Sequence, residues 1–186
     1  MLHLTDFVCF CSLTGWKLGW AYGPDHLMEN LRVAHQNCTY MCQTPEQEAV
    51  AAALEQQLDL TFNNPASFFS KLRSELGRKR EFWKNVLTQA GWTPVVPEGG
   101  YFMLANWTNM EPKADISGDT GPEDLRLIRW LAKNWKLHAV PPSAFCSEQS
   151  RHLMTDFIRF NFYKKDETLE MAKEVLLRHS KKTISN

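Results

Sequence analysis

The segment DFIRFNFY, near the end of the chain, constrains the fold more than any other stretch of the sequence. Its apolar residues Ile158, Phe160 and Phe162 alternate with the polar residues Arg159 and Asn161. An alternation of period two is typical of a β-strand with one buried face and one polar face. A half-buried strand needs partner strands, so the sequence predicts a small sheet in this part of the protein.

A helical pattern of period 3.6 precedes this sheet and predicts one long helix over roughly residues 65–90. Apolar residues recur in it at intervals of three, four and seven: Leu72, Leu76, Trp83, Val86 and Ala90. Gly91 is expected to end the helix as its C′ residue. The charged run Arg78, Lys79, Arg80, Glu81 interrupts the pattern, and such a run predicts a solvated face.

The remaining elements are shorter. Helices are predicted from Pro24-Asp25 to about Ala34, after a capping box at Thr44-Pro45-Glu46-Gln47, over DLRLIRWLAKNWK, and from Asp166 onward. WTPVV and GYFMLANW predict short strands, and LHAVPPSAF a short strand that runs into a loop. The chain is helix-rich up to residue 90 and then mixed α+β, which places the predicted boundary near Gly91.

Composition narrows the class of protein. The 186 residues carry 21 basic and 21 acidic side chains, a net charge of zero, and this argues against binding to nucleic acid or to a membrane surface. We expect no membrane span, since no apolar run is long enough. The five cysteines are irregularly spaced, which predicts reduced thiols of a cytosolic-type protein and no metal site: Cys9, Cys11, Cys38, Cys42 and Cys146.

Three residues are candidates for binding chemistry. Lys17 stands in the glycine-flanked segment TGWKLGWAYG, where it could contact an anion or be a plain surface lysine. Arg159 offers a planar fork that matches a carboxylate, and the alternatives are a structural ion pair or an exposed charge on an edge strand. Tyr40 precedes a helix, where an aromatic ring could line a pocket or belong to the core. No nucleophile, phosphate-loop or zinc-protease motif is present.

Five segments, in order, resemble the kynurenine aminotransferase family, also called cysteine-S-conjugate β-lyases or glutamine transaminase K. They are SLTGWKLGWAYGPDHL, HQNCTYMCQTPEQEA, PEGGYFMLAN, AVPPSAFCS and FIRFNFYKKDETL. The resemblance covers residues 12 to about 180 and matches the C-terminal portion of the family. It implies an α/β fold, the C-terminal part of a fold-type-I aminotransferase that uses pyridoxal phosphate (PLP). Residues 1–90 are then the end of the large domain with the long connecting helix, and residues 91–186 the small α+β domain.

The resemblance also implies roles for individual residues. Lys17 matches the lysine that contacts the cofactor phosphate, and Arg159 the arginine that holds the substrate α-carboxylate. Tyr40 matches an aromatic position that lines the substrate pocket of the neighbouring subunit. The family pattern Ser-x-Gly-Lys-Thr-Phe, which precedes Thr-Gly-Trp-Lys, places its Schiff-base lysine on Cys9 and its phosphate-binding serine on Asp6.

Two interpretations follow from this resemblance. In the first, the chain belongs to a PLP-dependent enzyme that transfers the amino group of kynurenine, glutamine or a related amino acid to a 2-oxo acid, as a cytosolic or mitochondrial homodimer. In the second, it is a truncated isoform or fragment that at most associates with an intact subunit. Because a thiol cannot form the imine that primes PLP, Cys9 predicts that the chain alone is inactive. Met41, often histidine in the family, bears on the choice of amino acid.

Overall fold

The structure, a computed structural model, describes residues 3–5, 14–58, 60, 64–110 and 113–180. Over these residues the helices are α1 (Asp25–Cys38), α2 (Thr44–Leu58), α3 (Phe68–Gln89), α4 (Glu123–Trp135) and α5 (Asp166–Ser180). The strands are β1 (His3–Thr5), β2 (Trp20–Tyr22), β3 (Thr93–Val95), β4 (Phe102–Asn106) and β5 (Phe157–Asn161). None of the helices in the described part of the chain is long and apolar enough to cross a bilayer.

The chain divides into two compact units, Met1–Lys71 and Leu72–Asn186. This division lies inside α3, so most of that helix packs with the second unit. The predicted boundary near Gly91 separates the domains of the family architecture, and it stays a prediction.

In the first unit, β1 pairs antiparallel with β2, and α1 and α2 follow. Helix α1 extends four residues beyond its predicted end, because no glycine or proline stops it before Tyr40. It buries none of its residues, and Leu27 and Leu31 are exposed on it. The buried pair Leu18 and Val50 instead forms a small cluster with α2.

The predicted capping box before α2 is wrong. Thr44 is already the first residue of the helix, so it is not the residue before it. The Gln47 side chain donates to the carbonyl of Cys42 at 3.0 Å and does not return to the Thr44 amide. The helix therefore begins one residue earlier than predicted, and the Gln47 side chain holds the loop before it.

The second unit contains a three-stranded antiparallel sheet in the order β3-β4-β5. Leu104 of β4 is the register partner of both Val95 and Arg159. On the other edge of β5, Val140 forms an isolated bridge with Arg159 through two backbone hydrogen bonds of 3.0 Å. The predicted strand before the PPSAF loop is reduced to this single bridge.

The core of the second unit lies between this sheet and the helices α3, α4 and α5. Its fully buried side chains come from every one of these elements: Leu87, Met103, Ala105, Leu127, Leu131, Ile158, Phe162 and Leu176. The predicted alternation of β5 is confirmed, since Ile158 and Phe160 are buried and Arg159 lies on the other face.

Lys79 does not belong to a solvated face, so that part of the prediction is wrong. It is only 5% exposed, and its ammonium donates to Glu75 at 2.5 Å and to the carbonyl of Lys164 at 2.7 Å. The ring of Tyr163 lies 5.1 Å from the same nitrogen. The reason is geometric: Lys79 is three residues after Leu76 and four before Trp83, on the helix face that packs against the core.

Candidate active site

Arg159 is placed by two neighbours of β5. Strand β4 pairs with it on one side and Val140 on the other, so the backbone at Arg159 is held from both edges. Because Ile158 and Phe160 point into the core, Arg159 projects from the opposite face of the sheet. The sequence pattern predicted this orientation correctly.

The guanidinium of Arg159 contacts two phenylalanine rings. Its central carbon is 4.2 Å from the ring centroid of Phe102 and 4.4 Å from that of Phe145. Both distances are within the range of a cation–π contact. Phe102 begins β4, and Phe145 ends a 3₁₀ turn over Pro142–Phe145. Neither ring was a candidate in the sequence, since the contacts join residues 57 and 14 positions apart from Arg159.

No described residue accepts a hydrogen bond from this guanidinium. Its Nε is buried without a hydrogen-bond acceptor, and no described residue forms an ion pair with the side chain. A buried donor without an acceptor is unfavourable by roughly 1–3 kcal/mol. A carboxylate can accept two parallel hydrogen bonds from the edge of a guanidinium, and such a bidentate pair would give the Nε its acceptor.

A cavity of about 630 Å³ adjoins Arg159. Apolar side chains line most of it, including Val140, Leu169 and Ala172 from the segment before the 3₁₀ turn and from α5. Trp83 also lines this cavity, and its buried indole nitrogen has no hydrogen-bond partner. Arg159 and the core-side residues Phe160 and Leu169 thus line one mostly apolar cavity, and pockets of this kind receive the apolar parts of ligands.

Lys17 follows a 3₁₀ turn over Thr14–Trp16 and is exposed. Its neighbour Leu18 is buried in the cluster with Val50, which anchors the backbone and leaves the lysine facing outward. Its φ angle of 56° is left-handed, an uncommon conformation for a residue with a Cβ. No described residue forms a hydrogen bond or ion pair with its ammonium, so it is free to contact an anion.

Tyr40 also has a left-handed backbone, with a φ of 71°. Its amide donates to the carbonyl of His35 at 2.9 Å and closes α1, a position that glycine usually takes. Its side chain is 71% exposed, so the core interpretation does not hold in this chain. The ring of Tyr40 is therefore available at the surface for contact with another group.

The structure adds less about the other positions singled out in the sequence. Cys9 and Asp6, which align with the Schiff-base lysine and the phosphate-binding serine, lie outside the described residues. Cys38, Cys42 and Cys146 are free thiols. Over the described ranges, no three histidine, cysteine or acidic residues are grouped as metal ligands would be.

Comparison with known proteins identifies the family of the chain. The profile of the family "Aminotransferase class I and II" matches residues 10–176. Human kynurenine–oxoglutarate transaminase 3 is 40% identical over 166 residues, and human kynurenine–oxoglutarate transaminase 1 is 37% identical over 167. The chain belongs to the class I and II aminotransferases.

Solved structures of aminotransferases share its fold. N-succinyldiaminopimelate aminotransferase of Mycobacterium tuberculosis matches with a TM-score of 0.68 and 30% identity, over 89% of this chain and 38% of its own. Bna3p of Saccharomyces cerevisiae matches with a TM-score of 0.77 and 25% identity, over 97% of this chain and 42% of its own. The predicted fold class, part of a fold-type-I aminotransferase, is confirmed.

This aminotransferase chain is shorter than its relatives. It aligns over 89% of its length with the human transaminases 3 and 1, but spans only 36% and 39% of theirs. Members of the family generally use pyridoxal phosphate, act on amino acids and 2-oxo acids, and commonly form dimers. The residues that the resemblance assigns to these tasks here, Lys17, Tyr40 and Arg159, remain proposals.

Proposed function

We propose that this chain provides the substrate-carboxylate and cofactor-phosphate contacts of an aminotransferase that acts on kynurenine- or glutamine-type amino acids with 2-oxo acids. One observation carries the proposal. The Arg159 guanidinium has a buried Nε, no pairing with any described residue and cation–π contacts with Phe102 and Phe145, and Arg159 lines a mostly apolar cavity. The names of the human relatives, kynurenine–oxoglutarate transaminases 3 and 1, support this choice of substrates.

Arg159 would hold the α-carboxylate that amino acids and 2-oxo acids have in common. A bidentate pair gives the Nε an acceptor and fixes the orientation of the substrate, and each charge-assisted bond contributes about 1.5–3 kcal/mol. The contacts with the two rings restrict the side chain before the carboxylate binds, so less freedom is lost on binding. The neighbouring cavity would receive the apolar part of the substrate.

Lys17 would contact the phosphate of PLP. Its ammonium is exposed and unpaired, so it fits a phosphate oxygen as a point charge. The cofactor, when bound, serves as the electron sink and carrier of the amino group. Tyr40 would line a substrate pocket of a neighbouring subunit.

Cys9, at the position of the Schiff-base lysine, predicts that the chain alone is inactive. Transamination needs a lysine that joins the cofactor and moves a proton at the substrate Cα, and a thiol does neither. We therefore expect the isolated chain to show no transamination of kynurenine with 2-oxoglutarate when PLP is added. Robust turnover, measured by the loss of kynurenine, would contradict this interpretation of Cys9.

The carboxylate site is tested by titrating the chain with benzoate and recording the backbone amide resonances of Val140 and Asn161, which line the same cavity and are present in every variant. We expect saturable binding that Arg159→Lys weakens by at least about tenfold, because one of the two parallel bonds is lost. Benzamide, which has the same shape without the charge, should not bind. Arg129→Lys is the matched control, since Arg129 is exposed and paired with Asp119. Equal binding by Arg159→Lys would refute the proposal.

The phosphate contact is tested by comparing PLP with pyridoxal, which lacks the phosphate. Lys17→Ala should weaken the retention of PLP in equilibrium dialysis and leave that of pyridoxal unchanged. Lys71→Ala, at another exposed lysine of the same unit, is the control. If Lys17→Ala affects both compounds equally, Lys17 does not contact the phosphate.

A non-catalytic partner of an intact subunit is the second candidate function. It is favoured by α1, which buries none of its residues although Leu27, Leu31 and Val33 are exposed on it. Such uncovered apolar surface is typical of a region that another chain covers. Co-expression with human transaminase 3, followed by sizing of the purified mixture, tests it: a mixed dimer supports this function, and two separate species contradict it.

A further inference from the structure

Asp124 is a fully buried carboxylate in the first turn of α4. One oxygen accepts from the amide of Leu125 at 2.9 Å and from the hydroxyl of Ser143 at 2.8 Å. The other accepts from the amide of Ser143 at 2.9 Å. Three donors and the positive end of the helix dipole stabilise this buried charge.

Ser143 belongs to the segment that carries Phe145. That segment is fixed at two points. Val140 is bridged to the backbone of Arg159, and Ser143, itself buried, is held by Asp124. The amide of Cys146 donates to the carbonyl of Ser143 at 3.2 Å, so Ser143 also accepts the hydrogen bond that closes the turn.

Phe145 follows these two points and covers one face of the Arg159 guanidinium. Its ring is 67% exposed, so burial in the core does not fix its position. The backbone of the turn must do so, and Asp124 is the side chain that holds this turn to the rest of the unit.

We propose that Asp124 is a positioning residue that, through Ser143, keeps Phe145 on Arg159 and so keeps the guanidinium in the plane that receives a carboxylate. The inference rests on the proposed function, because it assumes that Arg159 binds this group. Asp124 itself does not touch Arg159 or the ligand. Its effect on binding passes through one turn of backbone and one aromatic ring.

The first test needs no ligand. Protons above or below an aromatic ring are shielded, so the Nε proton of Arg159 should resonate upfield of those of exposed arginines. Asp124→Asn puts an amide donor against the donors of Ser143 and should release the turn, moving this resonance downfield. Phe145→Leu should move it in the same way, and combining the two changes should add nothing further. Glu123→Gln, which removes a charge from the same helical turn, should leave it in place.

Ser143→Ala keeps the test decisive if Asp124→Asn does not fold. It removes only the hydroxyl bond and leaves the amide of residue 143 on Asp124, so we expect a smaller downfield shift in a folded protein. A folded Asp124→Asn or Ser143→Ala protein with an unmoved Arg159 resonance would overturn the inference. So would a Phe145→Leu protein that shifts while neither of these two does.

The second test separates this inference from the proposed function. Asp124→Asn should weaken benzoate binding by about threefold to tenfold, because the ligand must then order the Arg159 side chain when it binds. If the wild-type chain does not bind benzoate, the proposed function fails, and the ring-shielding result still decides whether Asp124 positions Phe145. If the wild type binds and the folded Asp124→Asn protein binds equally well, the positioning role is refuted and the proposed function stands.

Discussion

Replacement of the buried Lys79 by methionine should change the stability of the second unit very little. Lys79 has two close hydrogen bonds, to Glu75 and to the Lys164 carbonyl, and an Asp166 oxygen lies 3.9 Å away. Both carboxylate side chains keep contact with water, with 42% and 60% of their surfaces exposed. When the ammonium is removed, they can therefore be solvated, and only the carbonyl loses a partner that is hard to replace.

The magnitude follows from opposing contributions. Two hydrogen bonds to a charged group contribute about 1.5–3 kcal/mol each. Burial of the ammonium costs several kcal/mol, so the two contributions nearly cancel. Lys79→Met keeps most of the stem and should lower the free energy of unfolding by no more than about 1 kcal/mol. Lys79→Ala also removes the packed stem, and should lower it by about 2–4 kcal/mol.

The free energy of unfolding of both variants is measured in urea. Hydrogen exchange at the amides of the fully buried Leu87 and Phe162 reports on the second unit. With a slope of about 2 kcal/mol per molar urea, the midpoints should fall by less than about 0.5 M for methionine and by about 1–2 M for alanine. Lys84→Met is the control, because Lys84 is on the same helix with its ion pair exposed. If Lys79→Met lowers the stability as much as Lys79→Ala, the charge of Lys79 and not its aliphatic stem stabilises this face of α3, and the reasoning is wrong.

Two further changes test local features. Lys136 closes α4 in a left-handed conformation, with a φ of 57°, so Lys136→Gly should raise the free energy of unfolding by about 0.5–1 kcal/mol, read from the thermal midpoint. Hydrogen bonds from the Ser117 hydroxyl and amide hold the pKa of Asp115 below its usual value, so Ser117→Ala should raise this pKa in an NMR titration. Because the pKa of Asp115 is lowered by folding, its contribution to stability is present above the unfolded pKa and is lost as the pH falls through the folded pKa. An unchanged pKa in Ser117→Ala would assign the shift to other groups.

Local patterns of sequence predicted most helices and strands well. The alternation around Arg159 and the acidic start of α5 at Asp166 are both features of neighbouring residues, and both are confirmed. The stripe of apolar residues in α3 also contained the signal for Lys79, at the spacing of the core face. The charge of Lys79 favours solvent and its position favours the core face, and in the structure the position decides.

The surroundings of the candidate site were harder to predict, because they depend on contacts between distant residues. Phe102, Phe145 and Asp124 meet Arg159 or its supporting turn across separations that no local period encodes. The left-handed backbones of Lys17 and Tyr40 could not be predicted either, since only the surrounding structure holds such residues in that conformation. The family resemblance named three site residues, and the geometry explains what surrounds one of them.

The alternation of β5 also protects the protein against misfolding. A slip of one residue against β4 would turn Arg159 into the space that Ile158 and Phe160 occupy, and would expose both of those side chains. A guanidinium among Met103, Ala105 and Leu176 would have no counter-charge in that apolar interior. The cation proposed to bind a carboxylate thus also rejects the wrong strand pairing while the sheet assembles, so an apolar residue at position 159 should make that error easier.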